Sequence, residues 1–331
     1  MSKHIQSALF HEANEKSQVM PKPINVASVP QRSLFRYPGG KTWFVPTFRQ
    51  WIRNIYPKPR LLIEPFAGGG IISLTALFEN LVERVVMVEL DEDIAAVWQS
   101  IVNGDAKWIA DKILYFHLTR ESVINEITQK PIDLKHMAFQ TILKNRTFHG
   151  GILAEGSGLL KHGENGKGIS SRWYPATLAK RLLNLDLFAH RIDFRRGDGL
   201  QIMREYTAQR DVVYFIDPPY TAGGKRAGKR LYKYYNIDHE ELFRICDSLK
   251  GDFLITYDDA EEVKQMAREY DFEMRLIAMT TTHHAEMKEL VIGRDMSWME
   301  QSPVVREAKA KYIAATTVKK RRNRKRERAT S

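Results

Sequence analysis

Cysteine is almost absent from this chain of 331 residues, in which Cys246 stands alone. One thiol excludes an internal disulfide and argues against a cysteine-held metal, which fits a reducing cytoplasm. Cys246 is expected to fill space in a helix. Long apolar runs are missing as well: no stretch approaches the ~18 uninterrupted apolar residues of a membrane span, and no leader pattern is visible. There is no internal repeat. The expectation is a cytoplasmic globular chain with no membrane partner, built as one large domain or two smaller ones. The formal charge of +11 is unevenly placed. Residues 319 to 331 hold eight Lys or Arg against one Glu, a net of +7, so the preceding 318 residues carry only +4. A mildly basic body with a cationic arm suits a polyanionic partner. Residues 1 to 33, polar and with Pro21, Pro23 and Pro30, read as an N-terminal extension.

What is present centres on Val212-Val213-Tyr214-Phe215-Ile216-Asp217-Pro218-Pro219-Tyr220. Five apolar residues rich in β-branched and aromatic types, stopped by a carboxylate and two prolines, predict a buried parallel strand whose end opens into a rigid loop. Ligands of open α/β sheets sit at such ends. Pro218 and Pro219 have no N–H, and Pro218 holds Asp217 extended, so the chain leaves the sheet presenting acceptors. Asp217 adds two acceptor oxygens and Tyr220 a flat face. This combination suits an exocyclic amine on a planar base, which donates two hydrogen bonds and stacks. Taken alone, Asp-Pro-Pro is equally a good strand terminator.

Upstream, Leu61-Leu62-Ile63-Glu64-Pro65-Phe66-Ala67-Gly68-Gly69-Gly70 reads as a short buried strand running into a glycine loop, with a helix over 71 to 81 behind it. A second strand, 85 to 90, carries Glu89 nineteen residues after Gly70. That is the geometry of a nucleotide-binding unit whose second strand ends in an acid for ribose hydroxyls. Gly68-x-Gly70-x-x-Ser73 lacks the third glycine of a dinucleotide site, and Glu64 stands where a pyrophosphate needs amides. The acid suits a cationic cofactor better. A helix over 91 to 103 follows, then the strand-helix alternation lapses for some ninety residues. Residues 104 to 144 look mainly helical, and 148 to 173 is glycine-rich with Lys161, Lys167, Arg172, His149, His162 and Trp173. Such a loop can track a phosphate backbone and touch bases, or be a plain surface insertion. Strands return at 192 to 196, at the Asp217 strand, and at 253 to 257, 275 to 279 and 289 to 292. Between the second and third of these, 223 to 235 interleaves Lys225, Arg226, Lys229, Arg230 and Lys233 with Tyr232, Tyr234 and Tyr235, placing cations at the mouth of the site.

The ordered set Arg36-Tyr37-Pro38-Gly39-Gly40-Lys41, Glu64-Pro65-Phe66-Ala67-Gly68-Gly69-Gly70, Asn145-Arg146 and Asp217-Pro218-Pro219-Tyr220 resembles the Dam-type DNA adenine-N6 methyltransferases. The resemblance covers about residues 34 to 293. It implies an α/β fold: a Rossmann-like sheet of about seven mostly parallel strands with helices on both faces, made from 34 to 103 and 192 to 300. A target recognition domain would be inserted over 104 to 191, and the basic tail would run from 301 to 331. It implies S-adenosylmethionine as cofactor, with no metal, and double-stranded DNA as partner. A cognate restriction endonuclease is a further partner that such an enzyme can have. Tyr37 and Lys41 would lie over the methionine end of the cofactor, Phe66, Gly68 and Gly70 would shape the loop beneath it, Glu89 would take the ribose and Asp198 the cofactor adenine. Asp217, Pro218, Pro219 and Tyr220 would hold the target base, and Asn145, Arg146, Lys225, Arg226, Lys229 and Arg230 would meet DNA. The rival readings are an RNA or protein methyltransferase on the same fold and a non-enzymatic DNA-binding protein.

Overall fold

The computed structural model describes residues 29–36, 39–154, 156–163, 166–219, 233–234, 236–280 and 286–300. Seven strands form one sheet: β1 (Leu61–Glu64), β2 (Arg84–Glu89), β3 (Ile192–Arg196), β4 (Val212–Ile216), β5 (Phe253–Asp258), β6 (Glu273–Thr280) and β7 (Glu286–Gly293), in the order β3-β2-β1-β4-β5-β7-β6. The first five are mutually parallel, whereas β7 runs antiparallel to both β5 and β6. The expected sheet of about seven mostly parallel strands is therefore observed. β6 and β7 extend beyond 275 to 279 and 289 to 292. β6 lies at the sheet edge, where an exposed Glu273 breaks the apolar pattern without breaking the ladder.

β4 shows why its sequence is apolar throughout. Alternate residues face opposite sides of a sheet, and here Val213 and Phe215 enter one core while Val212, Tyr214 and Ile216 enter the other. Three helices cover the first face: α1 (Val45–Asn54), α2 (Ile71–Phe78) and α3 (Glu92–Val102), bringing Phe48, Leu74 and Trp98 against Phe215 and its neighbours.

Residues 104 to 191 contribute α4 (Ala106–Tyr115), α5 (Arg120–Thr128), α6 (Leu134–Thr147) and α7 (Pro175–Asp186). In this stretch, expected from the sequence to be an inserted target recognition domain, Ile109, Ile113, Val123, Phe139, Leu143, Leu178 and Leu182 belong to the same continuous core as Phe48 and Phe215. Apolar faces of amphipathic helices need a surface to cover, and α3 supplies it.

The opposite face of the sheet is covered by α8 (Gly199–Glu205), α9 (His239–Ser248) and α10 (Glu261–Glu269), with Leu200, Met203, Phe243 and Val263 in that core. Cys246 is buried in α9, the filler expected of it. Aspartates set helix starts by accepting an early backbone N–H: Asp91 from Asp93, Asp198 from Leu200 and Asp238 from Glu241, each at 2.9 Å, and Asp133 from His136 at 2.8 Å. Among the described residues no helix is long and apolar enough to cross a membrane.

Candidate active site

Glu64 closes β1, Glu89 closes β2 and Asp217 follows β4, so three carboxylates share one edge of the sheet. The connections leaving β1 and β4 diverge to opposite sides, and neighbouring strands of that kind leave a crevice at their C-terminal ends. The crevice is a cleft of about 730 Å³. Lys41, Phe66, Gly68, Gly70, Glu89, Asp198, Asp217 and Pro219, all expected at the site, line it together with Glu64.

Its floor is the glycine loop. The Gly68 N–H donates to Glu89 Oε2 at 2.9 Å, Trp98 Nε1 donates to the Gly68 carbonyl at 2.9 Å, and Ser33 Oγ donates to the Gly69 carbonyl at 2.6 Å. Gly70 has φ +63°, and a Cβ there would fall 2.5 Å from Met87 Cε and 3.0 Å from Trp98. Backbone and packing both demand glycine. At the wall opposite, a Cβ on Gly199 would lie 2.2 Å from the Pro65 carbonyl, so its absence lets Asp198 and α8 close on the first strand's loop.

The carboxylates differ in surroundings. Glu64 is 4% exposed and accepts from the Ser73 N–H at 3.0 Å. Burial pushes its carboxyl up to about 8 against the Ser73 hydrogen bonds, with the Asp217 charge adding to the rise. Glu89 accepts from Gly68, Leu90 and Asp91 N–H groups, but burial still raises it to about 7. Two buried acids in one cleft, each costly to ionise without a counter-charge, favour a cationic ligand that offsets that cost and hydroxyl donors, and disfavour phosphate.

Asp217 Oδ1 receives Lys41 Nζ at 2.9 Å and Thr256 Oγ1 at 2.8 Å. Lys41 Nζ also reaches Glu289 Oε1 at 3.0 Å and the Gly39 carbonyl at 3.1 Å. Burial opposes the lysine's charge, yet Asp217 and Glu289 outweigh it and its pKa is raised. Lys41, which the resemblance expects over the methionine end of the cofactor, lines the cleft and directs its ammonium at Asp217, Glu289 and the Gly39 carbonyl.

Two expected DNA contacts need correction. Asn145 and Arg146 are 1% and 6% exposed. The Asn145 side chain accepts from the Arg36 N–H at 2.9 Å and donates to the Arg36 carbonyl at 3.1 Å and the Gly151 carbonyl at 2.7 Å. Arg146 Nη2 donates to the Leu34 carbonyl, and burial pulls its pKa down to about 10. Arg181, on α7, donates to the Ser33 carbonyl at 3.0 Å. Apart from the Gly151 carbonyl, these partners are backbone groups of residues 33 to 36, a strap whose Ser33 pins the glycine loop. In the glycine-rich stretch Lys161, Lys167, His149 and His162 are exposed, whereas Trp173 is packed in the core and cannot meet a base.

Tyr37, Pro38, Tyr220, Lys225, Arg226, Lys229 and Arg230 lie outside the described residues, as does the tail. Lys233 and Tyr234 are described, and both bond Glu92 at the start of α3. Sequence reasoning passed over Ser33, Thr256 and Glu289. The available signal was a carboxylate at the head of the apolar run Glu289-Leu290-Val291-Ile292, read simply as the start of a strand.

The family described as D12 class N6 adenine-specific DNA methyltransferase matches residues 37–282. The DNA N-6-adenine-methyltransferase of Escherichia phage P1 is 23% identical over 272 residues, covering 78% of this chain and 34% of the phage protein. The chain thus spans about a third of that relative's length. The type II methyltransferase M.MjaIII of Methanocaldococcus jannaschii is 21% identical over 233 residues, 65% of this chain and 78% of that protein. Among solved structures, an rRNA methyltransferase from Streptomyces viridochromogenes aligns with a TM-score of 0.37 at 12% identity, over 85% of this chain and 97% of that one, too loosely to carry an argument.

Proposed function

Since the chain belongs to the D12 class of N6 adenine-specific DNA methyltransferases, we propose that it transfers a methyl group from S-adenosylmethionine to N6 of adenine in double-stranded DNA. The observation that carries this reading is Asp217, held beside Pro218-Pro219 at the end of β4 in a cleft where the buried acids Glu64 and Glu89 favour a cation and hydroxyls. S-adenosylmethionine supplies a methyl group on a positively charged sulfur, next to a ribose. Glu89 spends three of about four lone-pair positions on backbone N–H groups and keeps room to accept from a ribose hydroxyl. Glu64 answers the positive charge, and Asp198 faces the cofactor's base.

An adenine amine is a poor nucleophile because its lone pair is delocalised into the ring. Asp217 and the Pro218 carbonyl accept its two N–H bonds, draw the nitrogen out of the ring plane and aim it across the cleft. The prolines offer no competing donor. The acceleration comes from positioning and electrostatics. A base inside a duplex must first leave the stack at a cost of a few kcal/mol, which stacking on Tyr220, worth ~1 to 3 kcal/mol, offsets in part. The cations of 223 to 235 and of the tail suit the surrounding phosphates.

The test is mass spectrometry of nucleosides from DNA incubated with the protein and S-adenosylmethionine, with RNA and protein offered in parallel. N6-methyladenine in duplex DNA is expected. N4-methylcytosine alone, or transfer only to RNA or protein, refutes the assignment.

A further inference from the structure

We propose that Glu289 is a positioning residue for methyl transfer, sharing Lys41 so that Asp217 keeps the negative charge the attacking amine needs. The inference rests on the reading of Asp217 as the acceptor for that amine.

Glu289 is 2% exposed, lies on the antiparallel strand β7 opposite Asp258 of β5, and is not part of the cleft wall, whereas Lys41 and Asp217 are. A buried carboxylate far from water is costly unless it is paired, and Glu289 pairs with Lys41 at 3.0 Å. That ammonium is already satisfied by Asp217 at 2.9 Å and the Gly39 carbonyl at 3.1 Å. A lone Lys41–Asp217 pair would be neutral, and Asp217 a correspondingly weaker acceptor. With Glu289 as the second carboxylate, the ionised group of three carries a net charge of −1.

This charge matters when the bond is made. As the amine nitrogen gives its lone pair to the methyl carbon, the carbon–sulfur bond breaks with its electrons going to sulfur, the nitrogen becomes cationic, and one of its protons then leaves to water. A cluster with a net negative charge beside that nitrogen stabilises the developing cation, and one prearranged by folding needs no rearrangement to do so. Glu289 touches neither amine nor cofactor and acts through Lys41. Thr256, donating to the same Asp217 oxygen at 2.8 Å, fixes the carboxylate's orientation.

The experiment measures single-turnover transfer with S-adenosylmethionine saturating, for the wild type, E289Q, E289D and the double variant K41M/E289Q, with melting curves and calorimetric cofactor binding for each. E289Q should slow transfer about 10- to 100-fold, with cofactor binding much less affected. E289D, which keeps the charge, should restore most of the rate. The double variant returns a net −1 to Asp217 and should be faster than E289Q. E289Q at the wild-type rate, E289D as slow as E289Q, or a double variant no faster than E289Q overturns the proposal. Should E289Q not melt cooperatively, E289D decides: transfer within about tenfold of wild type supports the proposal and a larger loss overturns it. A wild-type protein that methylates no DNA base defeats the proposed function and this inference with it, whereas wild-type transfer unaffected by E289Q defeats the inference alone.

Discussion

Asp217 and Glu64 are carboxylates on neighbouring strand ends, and their surroundings set them different tasks. Asp217 is held by Lys41 and Thr256 and presents an acceptor to the cleft. An Asn carbonyl can still accept from an amine. Asp217→Asn should therefore keep part of the activity, and Asp217→Ala should lose transfer by about 100-fold or more in single turnover with cofactor saturating, since the loop is still held by Pro218. An Asp217→Ala protein transferring near the wild-type rate would make Asp-Pro-Pro a strand terminator and nothing else. Glu64 is a matter of proton affinity. Its folded value of about 8 exceeds the ordinary 4.5, so its contribution to stability is fully present below about pH 4.5, declines as the pH rises and is lost above about 8. The stake is roughly a few kcal/mol. Glu64→Gln removes the titration, and its melting temperature relative to wild type should climb between pH 5 and 8.5, a window set by those two values. A difference independent of pH would mean that Glu64 is ionised in the folded protein.

Among the elements, the strap of residues 33 to 36 was the least legible in sequence. The strands were legible because full burial writes an unbroken apolar run, and the glycine loop because a φ of +63° at Gly70, with Met87 and Trp98 crowding the place of a Cβ, favours glycine. The strap is held by hydrogen bonds to its backbone, which any side chains could receive, so its own residues carry no mark of them. Only the donors do, and Asn145-Arg146 read equally as base contacts. Their burial decides the matter. Asn145→Ala leaves the Arg36 N–H and two carbonyls without their partner, at a cost of about 1 to 3 kcal/mol. We expect a lower melting temperature and weaker cofactor binding, because the strap carries Ser33 to the glycine loop. The salt dependence of DNA binding should stay as it is. Calorimetry with S-adenosylmethionine and a salt titration with DNA separate the two, and a change confined to DNA affinity would restore Asn145 to the DNA interface.

At the scale of the whole molecule, the proposed function divides the work by charge: the acids at the ends of β1, β2 and β4 would gather a cation and a base amine, while the formal charge of +11 would serve a polyanion. Most of that charge was legible as a run in the sequence, because like charges so dense cannot fold on themselves and are read by counting alone. How the insert meets DNA was not legible, because its glycines allow many backbone paths and Trp173, counted among the base contacts, packs inward instead. Residues 319 to 331 carry +7 and stand apart from the catalytic edge in sequence. Charge of this kind acts by displacing counterions from DNA, each phosphate contact steepening the log-log dependence of affinity on salt by ~0.9, and it reads no bases. Deleting 319 to 331 should therefore weaken DNA binding most at low salt and make that slope shallower. It should leave the methylated sequence unchanged, as read by sequencing modified bases in the product DNA. An unchanged slope would show that the arm does not touch phosphate, and a shifted methylation site would show that it helps to choose the sequence.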